Sequence, residues 1–220
     1  MARRTPSIDL DAVVASFRSD GTDPNDGATA AMLDAATALL SSYGVRRWSM
    51  DDVAARSGLG RATVYRRFEG RDDLVHAALA RDAHRFFGAI AAAVSGHDGL
   101  EAKVVEGFLV GTRVVRTSLI PTLFRSDTEM ALSLFTSGPV VALGRAALVE
   151  RYEAISGLRL SGADRQRVEL VAEALVRLAI SFILMPASVI DFDDEDAARE
   201  ALYLIIGPLL ALPRSAPERI

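Results

Sequence analysis

The chain has no cysteine, which excludes disulfides and thiolate chemistry and suits a reducing compartment. Lysine is nearly as scarce: Lys103 is the single lysine among 25 basic residues, a bias expected of a GC-rich genome rather than of a mechanism. Long apolar runs are also missing. The longest, Leu178 to Ile190, is bounded by Arg177 and Asp191 and broken by Pro186. That is well short of the roughly 20 residues a membrane-spanning helix needs. Met1 to Pro6 is basic but is not followed by an apolar core of signal-peptide length, so a cytoplasmic protein with no membrane partner is expected. His76, His84 and His97 show no metal-ligand spacing, and no HExxH, phosphate loop, dinucleotide fingerprint or nucleophile elbow occurs. The acidic run Asp191 to Asp196 lacks the glycine and distal glutamate of a calcium loop and reads as the start of a helix. No metal or cofactor is expected, and an enzyme is disfavoured.

What is present is an ordinary globular balance, 50% hydrophobic and 25% charged, over a length sufficient for one large domain or two small ones. The net charge of −4 argues mildly against a nucleic-acid partner, but the charge is uneven. Between Ser41 and Arg71, arginines at positions 46, 47, 56, 61, 66, 67 and 71 face only Asp51, Asp52 and Glu69. A local basic patch on an acidic chain is a usable phosphate-binding surface.

Residues 1–25 read as a flexible arm, with Pro6, Asp20-Gly21 and Pro24-Asn25 around a weak apolar cluster. Beyond them nearly every segment has helical period and none shows sustained strand alternation, so the fold is expected to be all-α. The first helix is expected over Gly27 to Tyr43, closed by Gly44 as a left-handed cap. Gly96 to Gly99, Pro121 and Ser137-Gly138-Pro139 punctuate later helices. Ser161, three residues before Asp164, is expected to cap a long helix ending at Pro186. Asp193 to Asp196 opens a last helix to about Leu212, with a kink expected at Gly207-Pro208.

The informative stretch is Trp48 to Leu74, WSMDDVAARSGLGRATVYRRFEGRDDL. Ser49 and Asp52 form an N-cap pair, Trp48 and Val53 are placed to staple the approach of the chain, and Asp51 and Asp52 sit where a helix dipole favours negative charge. Ser57-Gly58 ends this short helix, Leu59 can plug the turn, and a second short helix starts at Gly60. Two short helices joined by a tight glycine turn project the second into a major groove. Val64 and Phe68, one turn apart, would pack inward and leave Arg61, Ala62, Thr63, Tyr65 and Arg66 outward. Arginine grips guanine or phosphate, hydroxyls bond phosphate, and a small alanine permits close approach. For any one of these residues alone, a helical hairpin with a solvated face explains it as well. The ordered set discriminates.

That set resembles the DNA-binding domain of the TetR (tetracycline repressor) family: Gly44, Trp48, Ser49, Val53-Ala54, Ser57-Gly58-Leu59, Tyr65-Arg66-Arg67-Phe68 and Arg71 fall in the family's order. The resemblance implies a three-helix helix-turn-helix domain over residues 26–79, a helical ligand-binding and dimerisation domain over residues 80–213, and a tail over 214–220. It also implies that Tyr65 and Arg71 contact the DNA backbone and that the Arg61 to Thr63 surface reads bases, with Ser49 and Arg66 in the same interface. Gly60 stands where the family usually has serine or threonine, which puts one cap bond, and with it a phosphate contact, in doubt.

Between Val168 and Met185 the strongly polar residues Glu169, Glu173 and Arg177 form one narrow stripe, and the rest is apolar. A helix apolar on nearly all sides must be buried on nearly all sides. The last helix repeats the pattern. The resemblance implies a four-helix dimer interface, for which Val171, Leu175, Leu178, Phe182, Leu202, Ile205 and Leu209 are candidates; a thick monomer core is the alternative. The ligand pocket is implied between Leu100 and Ile155, with Phe108, Arg113, Phe124, Met130, Phe135 and Tyr152 as candidate lining residues. For each alone, core packing or, for Arg113, a solvated face explains it equally. The expected function is a repressor released from a pseudo-palindromic DNA operator by a small, largely apolar effector. The rival is a helical small-molecule-binding or partner-binding protein that has lost DNA binding, whose sign would be a ruined recognition helix.

Overall fold

The computed structural model describes residues 27–45, 47–136, 138–185 and 187–211. The arm, Arg46, Ser137, Pro186 and the tail lie outside the described residues, as do the side chains of Met130, Leu134 and Pro139. Among the described residues there are ten helices and no strand: α1 Gly27–Tyr43, α2 Met50–Ser57, α3 Arg61–Arg67, α4 Arg71–Val94, α5 Leu100–Val115, α6 Ile120–Ser126, α7 Thr128–Thr136, α8 Pro139–Ser156, α9 Gly162–Leu184 and α10 Glu195–Leu210. None of the helices is long and apolar enough to cross a membrane. The described residues form two compact units, one from residues 27–87 with 115–140, the other from residues 88–114 with 141–211.

In the first unit, alanine-rich α1 has high intrinsic helix propensity and buries Met32, Leu33, Ala36, Leu39 and Leu40 along one stripe. It ends where expected: Gly44 takes φ 71° and its N–H donates to the Leu40 carbonyl at 2.9 Å. The core continues through Val53, Val64, Phe68, Leu74 and Val75. It also takes in Leu119, Leu123 and Ala131, with Phe124 and Phe135 packed against it. The two phenylalanines stack at 6.0 Å. Residues 115–140, read from sequence as part of the effector domain, are therefore compact with the helix-turn-helix. Periodicity shows that a helix has an apolar face but not which core receives it.

Two polar side chains fix this arrangement. The Arg81 guanidinium of α4 reaches α1 three times, donating to Thr37 Oγ1 at 3.1 Å and the Ala30 carbonyl at 3.3 Å and pairing with Asp34 at 2.9 Å. Burial and the neighbouring Arg85 lower the Arg81 pKa from its ordinary value, and Asp34 opposes them. Next to it on α4, Asp82 accepts the Leu119 N–H at 3.0 Å and so caps the start of α6. Burial pushes the Asp82 carboxyl up, against the lowering by that hydrogen bond and by Arg85 and Arg81.

In the second unit, α5 and α10 lie side by side and antiparallel. Glu101 abuts Gly207, Glu106 pairs with Arg199 at 3.4 Å, and Arg113 pairs with Glu195. Val105, Phe108 and Leu109 pack there with Leu175, Ala198, Leu202 and Ile206. Gly144 of α8 lets that helix approach Val176 of α9; a Cβ there would meet the valine methyl at 2.9 Å. Helix α9 begins after Ser161 as expected, but the Ser161 side chain makes no cap bond; Asp164 instead pairs with Arg167 one turn on, at 3.0 Å. Helix α10 is capped by Asp194, which accepts from the N–H groups of Asp196 and Ala197, and it runs to Leu210 with Pro208 inside it.

Candidate nucleic-acid interface

The site is built by the turn between α2 and α3 and by the start of α4. Ser49 and Asp52 make the reciprocal box: the Asp52 N–H donates to Ser49 Oγ, and the Ser49 N–H donates to Asp52 Oδ2 at 2.8 Å. These Ser49 bonds hold the Asp52 carboxyl below its ordinary pKa. Trp48 is buried and its indole N–H donates to the Gly44 carbonyl at 2.9 Å, pinning the linker from α1. Gly58 closes α2 at φ 71°, a left-handed conformation that favours glycine, and Leu59 packs into the core beneath the turn.

Helix α3 starts at Arg61 with Gly60 as an extended N-cap that supplies no side-chain bond. Val64 is fully buried and Phe68 nearly so, which turns the opposite face to solvent. Arg61, Ala62, Tyr65 and Arg66 are exposed there, with Thr63 half-buried beside them. Tyr65 is 52% exposed although it is a large aromatic. Arg61 does not stand alone: its Nη2 pairs with Asp51 Oδ2, in the first turn of α2, at 2.9 Å.

Beside this face lies an open concavity lined by Trp48, Ser49, Glu69, Gly70, Arg71, Asp72 and Asp73. It brings together the N-cap of α2 and the first turn of α4. Backbone N–H groups at helix N-termini, with the positive end of the dipole, bind anions such as phosphate. Arg71 supplies a full charge at the same place, within 3.8 Å of Asp72. The eight candidates are thus brought together: Gly60, Arg61, Ala62, Thr63, Tyr65 and Arg66 on or beside one helix, Ser49 and Arg71 at the adjoining concavity.

The other candidates are more scattered. Phe108 is buried in the second unit's core, Tyr152 is half-buried against Val149, Val168 and Ala172, and Arg113 is exposed in its pair with Glu195. Phe124 and Phe135 belong to the first unit, and the Met130 side chain lies outside the described residues. Among the interface candidates Leu175 and Leu202 are in the second unit's own core, Val171, Leu178 and Phe182 pack partly buried against it, and Ile205 and Leu209 are each 38% exposed. Also exposed are Leu204 at 76%, part of the apolar pattern of the last helix, and Leu170 at 72%, not singled out by the sequence. Sequence reasoning also missed Asp51 as a partner for Arg61. Its place in a first turn had a sufficient explanation in the helix dipole, and no spacing rule links residues across a turn.

This geometry defines a helix-turn-helix protein with an open concavity holding Arg71 beside its second helix. Residues 32–78 match the family of bacterial regulatory proteins described as the tetR family. Those residues therefore carry a helix-turn-helix similar to that family's, and the all-helical fold of the chain is similar to that of TetR-family transcriptional regulators. Among solved structures it is similar to the TetR family repressor AlkX from Dietzia sp. strain DQ12-45-1b, implicated in biodegradation of n-alkanes. The two are 27% identical over 82% of this chain and 95% of that one, with a TM-score of 0.56. It shares the fold of a transcriptional regulator from Cytophaga hutchinsonii ATCC 33406, at 17% identity over 84% and 97% of the two chains and a TM-score of 0.54. No curated protein matches the chain.

Proposed function

We propose that the protein is a ligand-responsive repressor that binds a pseudo-palindromic operator as a homodimer and leaves it when a small, largely apolar effector binds. The observation that carries the reading is the exposed face of α3, with Arg61, Ala62, Tyr65 and Arg66 turned outward next to the concavity that holds Arg71. A chain that had lost DNA binding would have no reason to keep that set. Leu170, Leu204, Ile205 and Leu209 support a second copy as partner, because exposed apolar side chains on two helices are a contact surface wanting cover. The apolar effector is supported by the similarity to a repressor implicated in n-alkane biodegradation. Effector and DNA would then lower each other's affinity by the same factor.

In this reading Tyr65, Arg71 and the Ser49 cap hold phosphates, Arg61 to Thr63 read bases, Arg66 contributes charge, and Gly60 lets the backbone come close. Titration of variants against operator and scrambled duplexes at several salt concentrations tests these roles. Arg71→Ala and Tyr65→Phe are expected to weaken both duplexes alike, since phosphate contacts carry no base information. Arg71→Ala should also flatten the salt dependence by roughly one unit of log–log slope per lost phosphate contact. Arg61→Ala is expected to erode discrimination by about 1–3 kcal/mol. Equal losses on both duplexes for all three variants would contradict the base-reading role.

A further inference from the structure

Arg61 is the first residue of α3 and its side chain is 72% exposed, yet it is held by Asp51, which belongs to the preceding helix. Exposed ion pairs of this kind add little to folding stability, so stability gives no strong account of it. Its geometric consequence is larger. A guanidinium offers five N–H donors in a rigid fork, and Asp51 Oδ2 holds it as an ion pair at Nη2, 2.9 Å away. A fork held this way keeps a two-donor edge of the kind that matches guanine O6 and N7. A long side chain with no such anchor loses rotamer freedom when it reaches a base, and that loss is taken from affinity. Gly60 supplies no side-chain cap that could steer the start of α3, so the Asp51 pair is the side-chain contact that orients Arg61.

Resting on the DNA-binding reading above, we propose that Asp51 is a positioning residue for sequence recognition: it presents Arg61 to one guanine and, by its own charge, lowers affinity for DNA in which that guanine is absent. The two effects have opposite signs. With guanine present, the oriented fork forms two bonds at reduced entropic cost. Without it, those two bonds are missing and the Asp51 carboxylate near the duplex repels phosphate. The repulsion acts on every duplex, so it is the orientation of Arg61 that widens the gap between specific and non-specific binding, while the charge keeps affinity for DNA without that guanine low.

The test compares wild type, Asp51→Asn, Arg61→Ala and the double variant on a selected operator and on scrambled duplex, replacing each operator guanine in turn by 7-deazaguanine. Asp51→Asn is expected to lower the operator-to-scrambled ratio by about three- to tenfold, while affinity for scrambled duplex rises. In operator-to-scrambled ratio the double variant should match Arg61→Ala, and the 7-deaza sensitivity of the same guanine should be lost in Arg61→Ala and reduced in Asp51→Asn. Asp51→Ser, which keeps a residue suited to a first helical turn, is carried in parallel so that any folding defect of the asparagine variant is separated by thermal unfolding. An unchanged or higher ratio in a folded Asp51 variant, or additive losses in the double variant, would overturn the positioning role and leave the DNA-binding reading intact. A wild-type protein that prefers no duplex would overturn both.

Discussion

Gly44 is where the end of α1 meets α6, and its replacement by alanine tests whether residues 115–140 truly dock on the helix-turn-helix. Two costs add. At φ 71° an L-side chain meets the following carbonyl, at about 1–2 kcal/mol. A Cβ built on Gly44 would also overlap the Ser126 Cβ and stand 3.0 Å from its Oγ. Overpacking of this kind costs about 1–3 kcal/mol. The sum is about 2–5 kcal/mol, or a fall in Tm of roughly 4–20 °C for a chain of this size. Gly58 is the natural control: it has the same φ of 71°, and a Cβ there would meet no atom within 4 Å. Gly58→Ala should therefore cost only the backbone part, about 1–2 kcal/mol. Adding Ser126→Gly to Gly44→Ala should recover the overlap part, and the coupling is read by a double-mutant cycle in urea unfolding. Equal losses for Gly44→Ala and Gly58→Ala, with no rescue by Ser126→Gly, would refute the docking of α6 against α1.

Further outcomes follow from burial and titration. Leu204→Asp should split a dimer and leave the subunit folded, whereas Leu175→Asp should unfold it, because Leu204 is 76% exposed and Leu175 only 3%; sedimentation with circular dichroism separates the two, and a dimer untouched by Leu204→Asp counts against the proposed interface. Burial raises the Asp82 carboxyl above 3.8, so the stability tied to its neutral form is complete below that value and is lost as pH rises through the raised folded value. Asp82→Asn keeps an acceptor for the Leu119 N–H and should unfold at the same or higher urea at pH 7 than wild type, with a flatter pH profile; a marked fall in midpoint contradicts this. Glu173 has the opposite sign: Arg177 and Arg145 hold its carboxyl low, so its contribution is present above the ordinary value of 4.5 and is lost as pH falls through the lowered one. Glu173→Gln should blunt the acid limb of the same profile, and an unchanged acid limb would contradict it.

Much of the local structure was legible because local chemistry determines it. Helix α1 spans the expected Gly27–Tyr43, the Ser49–Asp52 box forms, and Gly58 turns the chain where a left-handed residue was needed. The inward pair Val64 and Phe68 followed from helical spacing, and the exposed set on α3 followed from them. Contacts between distant segments were not legible. Asp82 meets Leu119 across 37 residues and Gly44 meets Ser126, and neither pairing leaves a trace in spacing. The same limit explains the apolar helices α9 and α10. Their sequence shows that nearly every side is greasy, but only packing divides Leu175 and Leu202, which fill the unit's own core, from Leu170 and Leu204, which do not. Ser161 shows a subtler limit, since a residue of capping type at a helix start need not use its hydroxyl when water is available.

The most direct measurement is selection of genomic fragments by the purified protein at physiological salt, followed by footprinting of the enriched sites. The account predicts one enriched pseudo-palindrome whose half-sites lie about one helical turn or a multiple apart, as two copies of the Arg61–Arg67 helix require, with enrichment reduced by Arg61→Ala. Enrichment no greater than for random DNA, with or without apolar candidate effectors, would contradict it.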